Sequence, residues 1–130
     1  MAKVSVERTG TGFVARNARG AVVDIGNRNQ AGVFTPLELL LAAVGACNIT
    51  TVEPLTAKRG HRLVRLAVTV EAEKVEPALL GPITVTYDVE LPEGDPEADE
   101  VFRAVARRVH DRHSTVGRSL RKGTDITLDL

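Results

Sequence analysis

The segment from residue 35 to residue 60, TPLELLLAAVGACNITTVEPLTAKRG, constrains the fold most strongly, because it is the longest apolar stretch and contains the only cysteine. Thr35 precedes a proline and is followed three residues later by Glu38, the pattern of a capping box with proline at the first helical position. A helix is therefore predicted to begin here. The residues up to Ala46 are apolar on every side, so we expect a central helix that is buried almost all round.

The same helix carries Cys47 and, further along, Pro54. Proline lacks an amide donor and clashes with the preceding turn, which predicts a kink or a break near Glu53. The helix is then expected to end at Gly60. On an ideal helix Cys47 shares a face with small and weakly polar residues: Leu40, Ala43, Val44, Thr50 and Thr51.

Length and charge limit the classes of function. A chain of 130 residues can form one domain with its own core, and residues 1–130 are interpreted as a single domain. The 17 basic residues balance 17 acidic ones, so the composition favours neither nucleic acid nor an acidic membrane as a partner. No stretch is expected to span a bilayer, the N-terminus lacks an apolar secretory core, and a cytoplasmic location is the default. A single cysteine excludes an internal disulfide and multi-cysteine metal sites, and no metal or cofactor is expected.

Alternating apolar residues predict strands on both sides of the helix. Three short strands separated by turns form a meander over residues 3–25, and a polar, turn-rich loop over residues 26–34 leads to the helix. After the helix, residues 64–72 and 83–91 alternate cleanly and are expected to pair antiparallel. The connection from Lys74 to Pro82 is interpreted as a loop.

The last third of the chain is predicted to contain two helices and a strand. Asp95 is expected to be the N-cap of the first helix, and a second short helix covers residues 115–121 and is ended by Gly123. Residues 125–130 alternate again and predict a final strand. The order βββ-α-ββ-αα-β indicates an α+β domain with antiparallel sheets and a buried central helix. Because one small sheet cannot cover a helix that is apolar on all faces, a homodimer is the simplest arrangement.

Three features of the chain resemble the OsmC/Ohr family of osmotically induced and organic-hydroperoxide-resistance proteins. They are the helix TPLELLLAAVGAC that reaches Cys47, the segment HSTVGRSL at residues 113–120, and the strand at residues 125–130. The resemblance implies an OsmC-like fold and an intertwined homodimer with two active sites at the subunit interface. A peroxidatic cysteine on the central helix is implied to attack a hydroperoxide there, helped by a resolving cysteine, an arginine and a glutamate.

Carried over residue by residue, the resemblance is incomplete. Cys47 matches the peroxidatic cysteine, whereas the resolving cysteine falls on Ser114, which cannot form a disulfide. The glutamate falls on Leu37, and the neighbouring Glu38 already has a capping role. Because the resolving cysteine is absent, the only peroxidase mechanism that this sequence allows is a one-cysteine cycle.

The family arginine is matched by Arg16 or by Arg19, because the turn lengths leave both alignments open. A guanidinium that reaches Cys47 would favour the thiolate, the form that attacks a peroxide. The product is a sulfenic acid that an external thiol must reduce. The expected partners are therefore a second copy of the chain, a small-molecule peroxide and an external thiol reductant. From the residues alone, Cys47 is more typical of an inert core cysteine.

A hydrophobic pocket beside the cysteine is expected to select the substrate. Leu37, Leu40, Val44 and Phe34 would favour an organic peroxide, although such residues more often belong simply to the core. Ser114 has two interpretations, as an ordinary N-cap of the short helix or as a hydrogen-bonding group for a ligand in this pocket. The alternative function is a non-catalytic dimer that binds a small apolar or thiol-containing ligand in the interfacial pocket.

Overall fold

The computed structural model describes residues 1–130 and contains two compact units, residues 1–40 and residues 41–130. Antiparallel strands and helices share the chain, which confirms the predicted α+β class. The elements are, in chain order, β1 (Val4–Arg8), β2 (Phe13–Asn17), β3 (Val22–Ile25), α1 (Pro36–Lys58), β4 (Arg65–Glu76), β5 (Leu79–Glu90), α2 (Ala98–Arg108), a π-helical turn (Val109–His113) and α3 (Thr115–Lys122).

The N-terminal unit is the predicted meander. Strand β2 pairs antiparallel with both β1 and β3, and Val14, Ala15 and Ile25 are its buried apolar residues. The loop that follows is folded back onto the meander by Gln30. The Gln30 amide nitrogen donates to the Thr11 carbonyl at 2.8 Å, and its oxygen accepts from the backbone of residue 27 at 3.0 Å.

The capping box at the start of α1 is confirmed. The Thr35 amide donates to the Glu38 carboxylate at 2.8 Å, and the Glu38 amide donates to the Thr35 hydroxyl at 3.1 Å. Of the kink or break expected near Glu53, the break does not occur, because α1 continues to Lys58, and the kink stays a prediction. Pro54 is exposed, whereas its neighbours Val52 and Thr56 are buried, so packing holds the helix together across the missing donor.

The expectation that α1 is buried almost all round is wrong for the single chain. One side packs inside the C-terminal unit, and the buried residues are Val44, Gly45, Asn48, Val52 and Thr56. Alanines 42, 43 and 46 are exposed, because the chain supplies no element to cover them. The helix is also long and apolar enough to meet the length and composition criteria for a membrane span, contrary to expectation. A core helix of a soluble protein meets the same criteria.

Strands β4 and β5 form an antiparallel two-stranded sheet, as predicted, with Val70 opposite Val85. The predicted loop from Lys74 to Pro82 is wrong, because the strands extend through it to a turn at residues 77–78. The register is irregular between Ala72 and Lys74 and again between Lys74 and Glu76. Pro82 is tolerated because a two-stranded sheet has a free edge where no donor is needed.

Helix α2 supplies the core of the C-terminal unit. Phe102, Val105 and Val109 form one buried cluster with Val52 of α1. The helix begins at Ala98, later than expected, and Asp95 is not its side-chain cap. The Asp95 carboxylate accepts from the Glu97 amide at 3.3 Å in the turn before the helix, and it also pairs with the ring of His61, with Nδ1 and Oδ2 2.5 Å apart.

The end of the chain differs most from expectation. Helix α3 forms as predicted and ends at Gly123, whose φ of 69° is the left-handed conformation of a helix C-cap. The predicted strand over residues 125–130 does not form. Its apolar residues Ile126, Leu128 and Leu130 are 97%, 80% and 108% exposed, because no strand of the same chain pairs with this segment.

Candidate functional site

A cavity of about 230 Å³ lies inside the C-terminal unit, between α1, β5 and the α3 region. We call it the Ser114 cavity. Its wall is largely apolar, with a few polar groups at defined places. The lining residues are Val44, Asn48, Gly81, Ile83, Val85, His110, Ser114, Gly117, Leu120 and Arg121.

Helix α1 places Val44 and Asn48 on the cavity wall because residues four apart lie on one face of a helix. Both side chains are buried, and Asn48 is only 4% exposed. Between them, Gly45 lets the helix approach the sheet closely, since a Cβ there would lie 2.9 Å from the Val70 side chain. Gly45 therefore determines how closely α1 packs against the sheet.

Ser114 lies at the N-cap position of α3 but does not cap it. Its backbone amide donates to the Val109 carbonyl at 2.8 Å, and its carbonyl accepts from the Arg118 amide at 2.9 Å. The hydroxyl makes no cap hydrogen bond and has no hydrogen-bond partner, although the residue is 1% exposed. The interpretation of Ser114 as an ordinary cap is therefore wrong, and the hydroxyl is free to bind something in the cavity.

Gly117 lies one turn after Ser114 and also lines the cavity. A Cβ at Gly117 would lie 3.1 Å from the Ser114 hydroxyl oxygen. Arg121 and His110 are exposed residues of the lining, at its solvent side. The Arg121 guanidinium donates to the His110 carbonyl and lies 3.4 Å from the His110 ring nitrogen Nε2.

Cys47 is a free, half-buried cysteine on α1 and does not line the Ser114 cavity. Two threonines expected on its face direct their hydroxyls to the backbone. Thr51 donates to the Cys47 carbonyl at 2.8 Å, and Thr50 donates to the Ala46 carbonyl at 2.7 Å. Each hydroxyl has one proton, so neither has a second to donate to the sulfur.

The structure brings together only part of the predicted site. Val44 and Ser114 meet in the cavity, whereas Cys47 lies outside its lining. The remaining predicted residues, Phe34, Leu37, Leu40, Arg16 and Arg19, belong to the N-terminal unit, and their roles stay predictions. Within that unit the Arg16 guanidinium lies 3.6 Å from the Glu7 carboxylate, and Arg19 is exposed in the turn between β2 and β3.

Eight of the ten lining residues were missed by the sequence analysis, among them the polar residues Asn48, His110 and Arg121 and the helical glycine Gly117. Asn48 could have been found, since an amide inside an apolar helix calls for a partner. Gly117 could also have been noticed, because glycine is unfavourable inside a helix. No group of three or more His, Cys, Asp or Glu side chains is placed to hold a metal ion.

The sequence profile of the family described as OsmC-like protein matches residues 29–129. The chain belongs to the OsmC-like family. An uncharacterised protein of Mycobacterium tuberculosis is 32% identical over 135 residues, which cover 100% of this chain and 96% of the relative. A protein of the same description from Mycobacterium bovis has the same identity and coverage.

Solved structures show the same fold. The OsmC-like protein from Mycoplasma pneumoniae aligns with a TM-score of 0.73 at 17% identity, covering 95% of this chain and 89% of that one. The organic hydroperoxide resistance protein OhrB of Bacillus subtilis aligns with a TM-score of 0.62 at 23% identity, covering 99% and 96%. The OsmC-like fold inferred from the sequence is therefore confirmed.

Proposed function

We propose that this OsmC-like protein is a thiol-dependent peroxidase that reduces organic hydroperoxides or hydrogen peroxide through Cys47. The observation that carries the proposal is the state of this residue, a single free thiol that is only half-buried. A peroxide oxygen can approach such a sulfur, whereas a fully buried cysteine is inert. Family membership and the name of the Bacillus subtilis relative, an organic hydroperoxide resistance protein, support the same class of substrate.

The reaction requires two steps. The Cys47 thiolate attacks the terminal oxygen of the hydroperoxide, the O–O bond breaks, and the alkoxide takes up a proton to leave as an alcohol. Cys47 is left as a sulfenic acid. A first external thiol then displaces water to form a mixed disulfide, and a second thiol releases Cys47 as it forms the reductant's own disulfide.

The reductant must come from outside the chain, since Ser114 provides no second sulfur and Cys47 is the only cysteine. A cytoplasmic location suits this cycle, because thiols are kept reduced there. Arg16 or Arg19 is proposed to stabilise the thiolate electrostatically. The predicted pocket of Phe34, Leu37 and Leu40 is proposed to receive the organic part of the peroxide.

A homodimer is part of the proposal. The exposed alanines of α1 and the exposed Ile126, Leu128 and Leu130 are apolar surface that a single chain leaves in water. Burying such surface favours association, and the alternating tail has the pattern of a strand that lacks a partner. A second copy of the chain is the proposed partner for both.

Peroxide turnover with a small dithiol as reductant tests the proposal. The wild-type protein should consume cumene hydroperoxide catalytically, and Cys47→Ser should reduce consumption to the rate without protein. Ala104→Ser, at an exposed position of α2, is the matched control and should keep full activity. Equal rates for the wild type and Cys47→Ser would contradict the proposal.

A second candidate is favoured by the Ser114 cavity itself. Its unpartnered hydroxyl is suited to a ligand, and Cys47 does not line it. The protein would then be a non-catalytic dimer that binds a small apolar or thiol-containing molecule. Under this function a Cys47→Ala variant retains any ligand that co-purifies with the wild type, as measured by mass spectrometry of the extracted protein.

A further inference from the structure

The Ser114 hydroxyl is a buried polar group without a partner. Ser114 is 1% exposed, and no atom of the protein accepts from or donates to its Oγ. Buried polar groups are nearly always paired, because losing their hydrogen bonds to water is costly. Since this oxygen belongs to the wall of a cavity, a molecule in that cavity would supply the missing hydrogen bond.

Gly117 keeps the space beside this hydroxyl open. Alanine is a better helix former than glycine, and Gly117 is not among the glycines with positive φ, so the backbone does not require glycine here. A Cβ at this position would lie 3.1 Å from the Ser114 oxygen and would occupy part of the cavity. The glycine therefore maintains access to the hydroxyl at some cost to the helix.

The polar residues of the lining differ in how deeply they are buried. Asn48 and Ser114 are buried, whereas Arg121 and His110 are exposed at the solvent side. Arg121 is the only arginine or lysine of the lining, and the lining contains no acidic residue, so the solvent side of the cavity carries a positive charge. The apolar side chains of the lining are Val44, Ile83, Val85 and Leu120.

The geometry points to a small hydroxy- or oxo-carboxylic acid with a short apolar chain as the ligand of the Ser114 cavity. Its carboxylate pairs with Arg121 at the solvent side, where an anion keeps part of its hydration. Its hydroxyl or carbonyl oxygen bonds Ser114 and Asn48 inside. At about 30 Å³ for each water-sized group, 230 Å³ holds roughly eight non-hydrogen atoms.

This inference rests on ligand binding by the Ser114 cavity, the second function proposed above, and replaces its small apolar or thiol-containing ligand with a carboxylic acid. It requires no reaction at Cys47. Binding of 3-hydroxyhexanoate to the full-length protein by titration calorimetry is the direct test, with hexanoate and hexane-1,3-diol as comparison ligands. Loss of either polar group should weaken binding by roughly three- to tenfold, the value of one hydrogen bond or one exposed charge contact.

Two variants connect binding to the cavity. Gly117→Ala should abolish binding of all three compounds, whereas Gly10→Ala, which has nothing within 4 Å of its added Cβ, should bind normally. Arg121→Met should weaken binding of the two acids and leave the diol unchanged. Arg107→Met, at an exposed position outside the cavity lining, is its control.

The outcomes separate the inference from the function on which it rests. The inference is supported if the hydroxy acid binds more tightly than the other compounds. This binding should also be lost in Gly117→Ala and weakened in Arg121→Met. If the diol or hexane-1-thiol binds as tightly as the hydroxy acid, the cavity binds ligands but the acid assignment is refuted. If none of these compounds binds, or if Gly117→Ala binds them equally well, both the ligand class and the ligand-binding function are refuted.

Discussion

Replacing Ser114 by alanine should stabilise the protein, although serine at an N-cap position normally stabilises a helix. Removing a capping hydroxyl costs about 0.5–2 kcal/mol in ordinary cases. Ser114 makes no cap hydrogen bond, so this cost does not arise. What the substitution removes is a buried hydroxyl without a partner, whose desolvation costs about 1–3 kcal/mol.

Thr35→Ala is the matched control, because Thr35 is an N-cap hydroxyl that does form its bond, accepting from the Glu38 amide at 3.1 Å. We expect Thr35→Ala to lower the free energy of unfolding by about 1 kcal/mol. Ser114→Ala should raise it by about 1–2 kcal/mol. For a chain of this length, each kcal/mol corresponds to roughly 4 °C in Tm.

Denaturant unfolding followed by circular dichroism measures both variants, at one protein concentration because the proposed dimerisation would contribute to stability. The unliganded protein must be used, since a bound ligand would satisfy the hydroxyl. A decrease in stability for Ser114→Ala as large as that for Thr35→Ala would refute the reasoning. It would show that Ser114 is an ordinary cap.

Three further predictions concern pH, assembly and thiolate activation. Burial raises the pKa of Tyr87 above its ordinary value of 10.0, so the unfolded chain loses this proton first and stability should fall as pH rises above about 10. Tyr87→Phe should reduce this fall, and because Tyr87 is the only tyrosine and there is no tryptophan, absorbance of the tyrosinate reports the titration directly. Deleting residues 125–130 should shift the protein from dimer to monomer in sedimentation, with far-UV circular dichroism unchanged; a dimer that survives the deletion contradicts the proposed role of the tail. Of Arg16→Met and Arg19→Met, one should slow oxidation of Cys47 by roughly tenfold or more and the other should serve as its control; equal rates in both variants would exclude either arginine as the activator.

Local signals in the sequence predicted local structure well. The capping box of Thr35 and Glu38 depends only on residues three apart, and both of its hydrogen bonds form. Gly123 likewise ends α3 where expected, through its own backbone conformation. The alternation of residues 64–72 and 83–91 predicted the antiparallel pair, because one face of each strand packs on the helices.

Features that depend on distant residues were missed or misread. Asp95 was expected to cap α2, but the helix begins at Ala98, and the sequence did not reveal the pair between the Asp95 carboxylate and His61, 34 residues earlier. The tail at residues 125–130 alternates like a strand, yet a strand needs a neighbour that this chain does not supply. Pro54 did not end α1, because burial of the adjacent residues outweighs one lost hydrogen bond.

Only part of the candidate site could be predicted from the sequence, for the same reason. The family resemblance pointed to Cys47 and Ser114, and helical spacing placed Val44 near the cysteine. That Ser114 faces a cavity instead of capping its helix depends on residues of α1 and β5 that line the same cavity, and the order of residues does not reveal this.

The central claim is that Cys47 reacts with peroxides, and its rate of oxidation tests this most directly. The purified protein is mixed with cumene hydroperoxide or with hydrogen peroxide, and the sulfenic acid is trapped and quantified by mass spectrometry beside a short cysteine peptide. We predict oxidation of Cys47 that is orders of magnitude faster than that of the peptide. Oxidation no faster than that of the peptide would contradict the peroxidase function and leave the ligand-binding role of the Ser114 cavity.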